Sequence, residues 1–145
     1  GIEFSSKEGS LVIHYPALQT QAIYTKDLIE LHSPTHFTWL GRSDFAINSG
    51  GFKIIPELLE AKLAPYFDVP FFICGVTDMK WGQVVGLIFE ANSIPELPDF
   101  TELGLTNAER PKKVAFMSKF KRTQTQKIQR IENCLQLHDA DWKSI

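Results

Sequence analysis

The chain has 145 residues, of which 43% are hydrophobic and 22% charged, a composition that supplies a globular core and is not that of a disordered segment. Its formal net charge of −2 argues against the basic surface that nucleic-acid binding requires. No apolar run approaches the roughly 20 residues of a membrane-spanning helix, and the first residues lack the basic and apolar regions of a signal peptide. These features predict a cytoplasmic protein with no nucleic-acid partner and no membrane span.

Residues 10 to 41 contain three short alternating or apolar runs, SLVIHY, AIYTKDLIEL and HFTWLG, interrupted by Pro16, Ser33 and Pro34. This pattern is typical of small antiparallel strands. A meander of this size is at best marginally stable alone. We therefore expect these strands to form the end of a larger domain that begins upstream, which makes the chain a fragment.

A hairpin and a helix follow. The runs FAIN and FKII flank Ser-Gly-Gly at residues 49 to 51, and the two glycines supply the positive φ angles of a tight turn. Pro56 suits the first turn of a helix, and Leu59 and Leu63 keep helical spacing. We predict a two-stranded hairpin and a helix from about Pro56 to Leu63.

The second half predicts a small sheet and a terminal helix. The runs PFFICGVT, GQVVGLIFEA and KKVAFMS read as strands, the third reached through a stretch that includes a helical piece. The run KIQRIENCLQL places Ile128, Ile131, Cys134 and Leu135 on one helical face. The predicted fold class is α+β: short antiparallel strands, then a small domain with a two-stranded hairpin and a three-stranded sheet packed with helices.

The cysteines and histidines indicate neither a disulfide framework nor a metal centre. Cys74 and Cys134 are isolated, and such thiols are by default buried or free. Pro34 argues against a helix that would bring His32 and His36 to one face, and no carboxylate or cysteine completes a metal set. The chain also lacks the nucleophile elbow of serine hydrolases and the glycine-rich phosphate loop of nucleotide triphosphatases.

Two segments carry a family resemblance. WLGRSDFAINSGGFKIIPELLEAKL, residues 39 to 63, and RTQTQKIQR, residues 122 to 130, occur in the order found in adenylate-forming, AMP-binding acyl-CoA synthetases. Essentially the whole chain resembles the C-terminal portion of this family. The resemblance implies that residues 1–41 are the tail of the large N-terminal adenylation domain, 42–44 a hinge, and 45–145 the mobile C-terminal lid domain.

In this family a carboxylic acid attacks the α-phosphate of ATP to give an acyl-adenylate, and a thiol then displaces AMP after the C-terminal domain rotates. By resemblance Lys127 is the catalytic lysine of the first step, where a compact cation is needed. A lone lysine at the start of a helix is otherwise a solvated side chain. Gln126 stands where most members have glycine.

Two residues are similar to the family's ribose contacts. Asp27 in YTKDL matches the Thr-Gly-Asp motif, with Lys26 in place of its glycine, and Arg42 in LGRSD matches an arginine that also reaches the ribose. On sequence alone Asp27 could equally start a strand in solvent, and Arg42 could form an ordinary surface salt bridge.

Two further features concern the rotation of the C-terminal domain and the channel for CoA. By resemblance Asp44 is the hinge residue, at which a few backbone dihedrals absorb the domain rotation. The turn Ser49, Gly50 and Gly51 would line the channel for the pantetheine arm of CoA, because missing side chains permit close approach. The same turn also reads as an ordinary hairpin.

The resemblance implies ATP, CoA and Mg²⁺ as cosubstrates and cofactor of the full-length enzyme, with none assigned to the fragment. The partners are the missing N-terminal domain and a small carboxylic acid. The phosphate loop and acyl pocket lie upstream in this family, so we expect the fragment alone to be inactive. The sequence WLGRSD followed by INSGGFKIIPELLE is most similar to that of the o-succinylbenzoate CoA ligases of menaquinone biosynthesis.

Two alternatives remain open. An adenylation domain that loads a carrier-protein thiol would share every motif above, and a downstream carrier domain would favour it. A lid-fold interaction module without chemistry is compatible with Lys26 and Gln126. An upstream reading frame of several hundred residues with a phosphate loop would remove this last alternative.

Overall fold

The computed structural model describes residues 1–18 and 21–145. These residues divide into two compact units, Gly1–Ala46 and Ile47–Ile145. The domain limits expected above, 1–41, 42–44 and 45–145, stay predictions.

The first unit is a four-stranded antiparallel sheet whose strands are adjacent in chain order. Short 3₁₀ turns follow the second strand at Pro16–Leu18 and the fourth at Ser43–Phe45. The first strand was not predicted, because its sequence EFSSK has Phe4 as its only apolar residue and is mostly exposed. The strands are β1 Glu3–Lys7, β2 Ser10–His14, β3 Ile23–Ser33 and β4 His36–Arg42.

The second unit is a six-stranded sheet with two short α-helices. Strands β8 and β9 are parallel, and the other pairs are antiparallel. The longest helix in the described residues has eight residues, and none is long and apolar enough to cross a membrane. The elements are β5 Ile47–Ser49, β6 Phe52–Ile54, α1 Pro56–Leu63, β7 Phe71–Asp78, β8 Gly82–Glu90, β9 Lys113–Met117, α2 Arg130–Cys134 and β10 Lys143–Ser144.

The mixed α+β class, the hairpin, the helix Pro56–Leu63 and the three long strands are confirmed. The sheet is larger than predicted, because Ser49 of β5 pairs with Gly82 of β8 and joins the hairpin to the other strands. The helical piece expected before β9 is only a 3₁₀ turn, Phe100–Glu102. Prolines 95, 98 and 111 in this connection remove the backbone donors that a longer helix needs.

Both faces of the second sheet are covered. Leu87 and Phe89 of β8 pack with Leu59 and Leu63 of α1 in the larger core, whereas Ile88 packs in a smaller cluster with Phe72 and Phe120. Each such fully buried side chain contributes roughly 1.5–3 kcal/mol relative to exposure. The smaller cluster lies under the C-terminal segment and fixes its position on the sheet.

The terminal helix differs from the prediction. It is confined to Arg130–Cys134, and the side chains of Ile131 and Leu135 are 55% and 77% exposed. Ile128 and Cys134 do pack on the smaller cluster. The residue that this helix buries completely is the polar Asn133. The predicted apolar face is therefore wrong, because hydrogen bonds to the preceding loop anchor this turn in place of an apolar stripe.

Candidate functional site

Lys127 lies on a narrow loop between β9 and α2, with its side chain exposed. The Thr123 amide donates to the Lys127 carbonyl over 2.8 Å, and the Lys127 amide donates to Thr123 Oγ1 over 3.2 Å. Arg122 and Ile128 form an antiparallel bridge one residue further from the tip. The lysine is thus presented to solvent from a backbone that is hydrogen-bonded across the loop.

Gln126, at the tip, has φ = +69°. This is the left-handed region, which costs an L-residue roughly 1–2 kcal/mol and costs glycine little. The amide of Gln126 donates to the Thr123 carbonyl over 2.9 Å, which helps to hold the turn. The residue that replaces the family's usual glycine therefore adopts the conformation for which glycine is suited.

An ion pair holds the first end of the loop. The guanidinium of Arg122 donates to both carboxylate oxygens of Glu90 over 2.6 and 3.0 Å, and the Phe120 amide donates to the same carboxylate over 2.7 Å. The hydrogen bond from Arg122 lowers the pKa of Glu90. Since Glu90 ends β8, the loop is tied to the rigid sheet.

A second ion pair holds the other end. Arg130 donates to both oxygens of Glu60 over 2.6 and 2.5 Å, and also to the Ile73 carbonyl over 3.2 Å. Glu60 accepts in addition from the Ile73 amide over 2.9 Å. A partner 70 residues along the chain therefore covers the carboxylate of Glu60.

Asp27, Arg42 and Asp44 form one group in the first unit. Asp27 and Arg42 are directly paired across β3 and β4. Asp27 Oδ1 accepts from the indole of Trp39 over 3.1 Å and from Arg42 over 3.4 Å, while Arg42 donates twice to Asp44 over 3.3 Å. The hydrogen bond to Asp44 is the main cause of a raised Arg42 pKa.

This group offers a carboxylate and a guanidinium side by side at the surface. The side chains of Arg42, Asp27 and Asp44 are 37%, 30% and 32% exposed. Exposed ion pairs contribute little to stability, so the main physical effect of the contacts is to orient these groups. Trp39 was not singled out from the sequence, and its position three residues before Arg42 was the available signal.

The 49–51 turn contacts β8 and the turn before it. Gly50 and Gly51 have φ of +56° and +84°, the pattern of a tight hairpin turn. The Gly50 amide donates to the Trp81 carbonyl over 2.9 Å, and a Cβ on Gly50 would lie 2.6 Å from the Trp81 ring. A cavity of about 300 Å³ opens beside the turn, with Phe52, Trp81 and Lys112 in its lining.

Three donated hydrogen bonds, two of them to the carbonyls of Asn107 and Arg110, hold the Lys112 ammonium at this cavity. Burial lowers the pKa of Lys112. The ring of Trp81 is the surface against which Gly50 packs. In the described ranges, 1–18 and 21–145, no group of three or more His, Cys, Asp or Glu side chains could hold a metal ion.

No family model matches the chain. Among solved structures, an AMP-forming acyl-CoA synthetase/AMP-acid ligase II-like protein from Dyadobacter fermentans is 30% identical, with a TM-score of 0.59 over 95% of this chain and 42% of that one. The o-succinylbenzoate CoA synthetase of Bacillus subtilis, solved with its acyl-adenylate intermediate, is 21% identical, with a TM-score of 0.73 over 91% of this chain and 33% of that one. The fold is that of the C-terminal domain of adenylate-forming enzymes.

Curated relatives agree on the family. A medium/long-chain-fatty-acid and 3-oxocholest-4-en-26-oate CoA ligase of Mycobacterium tuberculosis is 32% identical over 103 residues, 67% of this chain and 19% of that protein. A 2-succinylbenzoate CoA ligase of Bacillus cereus is 30% identical over 119 residues, 79% of this chain and 25% of that protein. The chain matches a C-terminal fragment of the AMP-forming acyl-CoA ligases. It spans 19% and 25% of the length of these two relatives.

Proposed function

We propose that the complete protein is an ATP-dependent, AMP-forming carboxylic acid CoA ligase and that this chain supplies its C-terminal part. In the first step a carboxylate oxygen attacks the α-phosphorus of ATP and the bond to pyrophosphate breaks. In the second step the thiol sulfur of CoA attacks the acyl carbonyl and AMP leaves, while the thiol proton passes to solvent or buffer. The reaction consumes ATP and CoA, and we expect it in the cytoplasm.

The observation that carries the proposal is the presentation of Lys127. Its ammonium is exposed on a loop that is hydrogen-bonded internally and tied to the sheet and to α1 through the two ion pairs. An ammonium held in this way offers three donors and a unit charge to negative charge that develops between a carboxylate and a phosphate. We assign Lys127 to the adenylation step.

We assign Asp27 and Arg42 to the ribose of the nucleotide. A carboxylate accepts hydrogen bonds from hydroxyl groups, and a guanidinium donates to oxygen in a fixed geometry. The contacts of Asp27 with Trp39 and of Arg42 with Asp44 orient both groups before any ligand arrives. Binding then loses less side-chain entropy.

We assign the turn Ser49, Gly50 and Gly51 to the thiol acceptor. The turn adjoins the 300 Å³ cavity that Phe52 and Trp81 help to line, which suits the apolar part of a pantetheine arm. Lys112, at the same cavity, adds a cation for a phosphate-bearing acceptor.

We assign Asp44 to the hinge; it lies in the first unit, two residues before that unit ends at Ala46. Asp44 lies in the 3₁₀ turn Ser43–Phe45. Asp44→Pro fixes φ and disfavours the helical conformation of the preceding residue, so we expect acyl-adenylate to accumulate without conversion to thioester. Asp44→Ala, which removes the carboxylate and leaves φ free, is the control. Normal thioester synthesis by the proline variant would overturn the hinge assignment.

Mg²⁺ is expected with ATP in the family. The described residues provide no acidic or histidine cluster that would hold it, so we assign no step of this chain to the metal. The remaining machinery, including the acyl pocket, belongs in our proposal to an N-terminal domain of the same protein.

For the acyl group we propose o-succinylbenzoate first, which would place the protein in menaquinone synthesis. The likeness to the Bacillus cereus and Bacillus subtilis proteins supports this choice. Medium- and long-chain fatty acids are the second candidate, because the Mycobacterium tuberculosis relative acts on such acids. The pocket that discriminates the two lies outside this chain in our proposal.

The test is mass-spectrometric detection of CoA thioesters from the complete protein, given ATP, Mg²⁺, CoA and a panel of acids. An o-succinylbenzoyl or fatty-acyl thioester supports the ligase and selects its substrate. Release of AMP with transfer to a carrier-protein thiol, and no CoA thioester, would favour the carrier-loading alternative. Absence of AMP and thioester with every acid would favour the interaction module.

Lys127→Ala should abolish most adenylate formation and spare thioester formation from a supplied acyl-adenylate, because the lysine acts only in the first step. The exposed Lys143 on β10 provides the control variant Lys143→Ala. Equal losses in both half-reactions would refute the assignment of Lys127.

A further inference from the structure

Asn133 is completely buried, and each of its side-chain polar atoms is used. Its Oδ1 accepts from the Lys121 amide over 2.8 Å. Its Nδ2 donates to the Lys121 carbonyl over 3.0 Å and to the Gln129 carbonyl over 2.8 Å. One side chain therefore satisfies backbone groups on both strands of the loop that carries Lys127.

These contacts lie at the base of the loop, and further hydrogen-bonded pairs between its two sides follow toward the tip. From the base toward the tip, the Gln129 amide donates to the Lys121 carbonyl over 3.0 Å, and the Arg122–Ile128 bridge and the Thr123–Lys127 pair follow. The tip of the loop has no apolar packing of its own, because residues 124 to 127 are exposed. Asn133 thus joins the two sides of the loop at its base, beside the two ion pairs that tie them to the sheet and to α1.

The chemistry of Asn is suited to this place. A buried amide with one acceptor and two donors matches one N–H and two C=O groups, whereas an aliphatic side chain would leave all three backbone groups without that partner. An aspartic acid, kept protonated by burial beside two carbonyl oxygens, would keep the acceptor and one of the two donors. The sequence pattern gave Asn133 no role, because an asparagine inside a predicted helix is ordinarily exposed.

We propose that Asn133 is a positioning residue for the adenylation step, which it serves by fixing the base of the Lys127 loop. The proposal rests on the proposed function, in which Lys127 is the catalytic cation. A displacement of about 1 Å at a catalytic group costs on the order of 100-fold in rate. Asn133→Ala should reduce the adenylation rate by about that factor, and Asn133→Asp by about tenfold, because it keeps the acceptor.

The experiment uses the complete protein and measures the two half-reactions separately for Asn133→Ala, Asn133→Asp, Lys127→Ala and Asn133→Ala/Lys127→Ala. Asn92→Ala, at an exposed asparagine, is the control. Hydrogen exchange reports folding from the amides of β8 and the loop from the amides of Lys121 and Gln129. Should Asn133→Ala lose protection in β8, Asn133→Asp carries the test.

The proposal predicts a loss confined to adenylation, faster exchange at Lys121 and Gln129 with β8 unchanged, and a double variant no slower than Lys127→Ala. A merely structural role would slow both half-reactions equally, and that result overturns the proposal. Wild-type adenylation by both Asn133 variants, with Lys127→Ala impaired, also overturns it and leaves the proposed function intact. Wild-type adenylation by Lys127→Ala overturns both.

Discussion

The Glu60–Arg130 pair allows a stability prediction with a worked magnitude. Glu60→Gln keeps an oxygen that can accept the Ile73 amide but removes the charge opposite the guanidinium of Arg130. The two side chains are 18% and 17% exposed. Breaking a fully buried pair costs about 3–5 kcal/mol, and exposed pairs contribute about 0–1 kcal/mol. With this residual access to water we expect Glu60→Gln to lower the free energy of unfolding of the second unit by about 2–3 kcal/mol.

The assay is urea unfolding followed by tryptophan fluorescence in a Trp39→Phe background, where Trp81 and Trp142 report on the second unit. Lys62→Met is the matched control on the same helix, since the Lys62 side chain, paired with Glu109, is 56% exposed. We expect the control to cost less than about 1 kcal/mol.

A double variant separates the charge pair from the packing. In the double variant Glu60→Leu/Arg130→Met neither charge is left without its partner. Its loss of unfolding free energy should therefore be smaller than the sum of the losses measured for Glu60→Leu and Arg130→Met separately. A loss below about 0.5 kcal/mol for Glu60→Gln, or strict additivity in the double variant, would refute the reasoning.

Three further predictions concern the second unit. Gly51→Ala should lower the free energy of unfolding by about 1–2 kcal/mol through its positive φ alone. Gly50→Ala should lower it by about 1 kcal/mol more, because the added Cβ meets the indole of Trp81. Equal losses for the two variants in urea unfolding would contradict this. The pKa of Glu90 is lowered in the folded protein. The stability that its ion pair contributes is therefore complete above the ordinary carboxyl pKa of 4.5 and is lost as the pH falls through the folded pKa. The stability difference between wild type and Glu90→Gln should therefore be constant near pH 7 and shrink below pH 4.5, and a pH-independent difference would count against the ion pair. The pKa of Cys134 is lowered by the neighbouring Cys74 thiol, whose own pKa is raised, so iodoacetamide should label Cys134 first, as peptide mass spectrometry would show.

Local patterns predicted the parts of the fold that local physics decides. Pro56 and the Leu59–Leu63 spacing mark a helix whose observed limits agree with the prediction, and the glycine pair fixes the hairpin. The terminal helix failed because Asn133 anchors it through the backbone of a neighbouring loop, a contact that hydrophobic periodicity does not encode. The site residues were reached through motif resemblance, and their roles stay predictions.

The supports of the candidate site could not be predicted in the same way. Glu60 and Arg130 are 70 residues apart, and Glu90 and Arg122 are 32 apart. Each looks like a solvated charge in its own segment, and only the tertiary fold shows that the four residues form two ion pairs. Asp27 and Arg42 are closer in sequence but meet only through the register of β3 and β4.

The separation between Glu60 and Arg130 also bears on how the molecule is made. Helix α1 leaves the ribosome with a carboxylate whose partner has not yet been translated, and at about 5–20 residues per second that partner follows roughly 4–14 s later. Strand β9 likewise precedes its edge partner β10. During this interval the nascent second unit lacks its closing contacts, so it completes its fold late and cooperatively, and a slowed or stalled translation would expose it to chaperones and proteases.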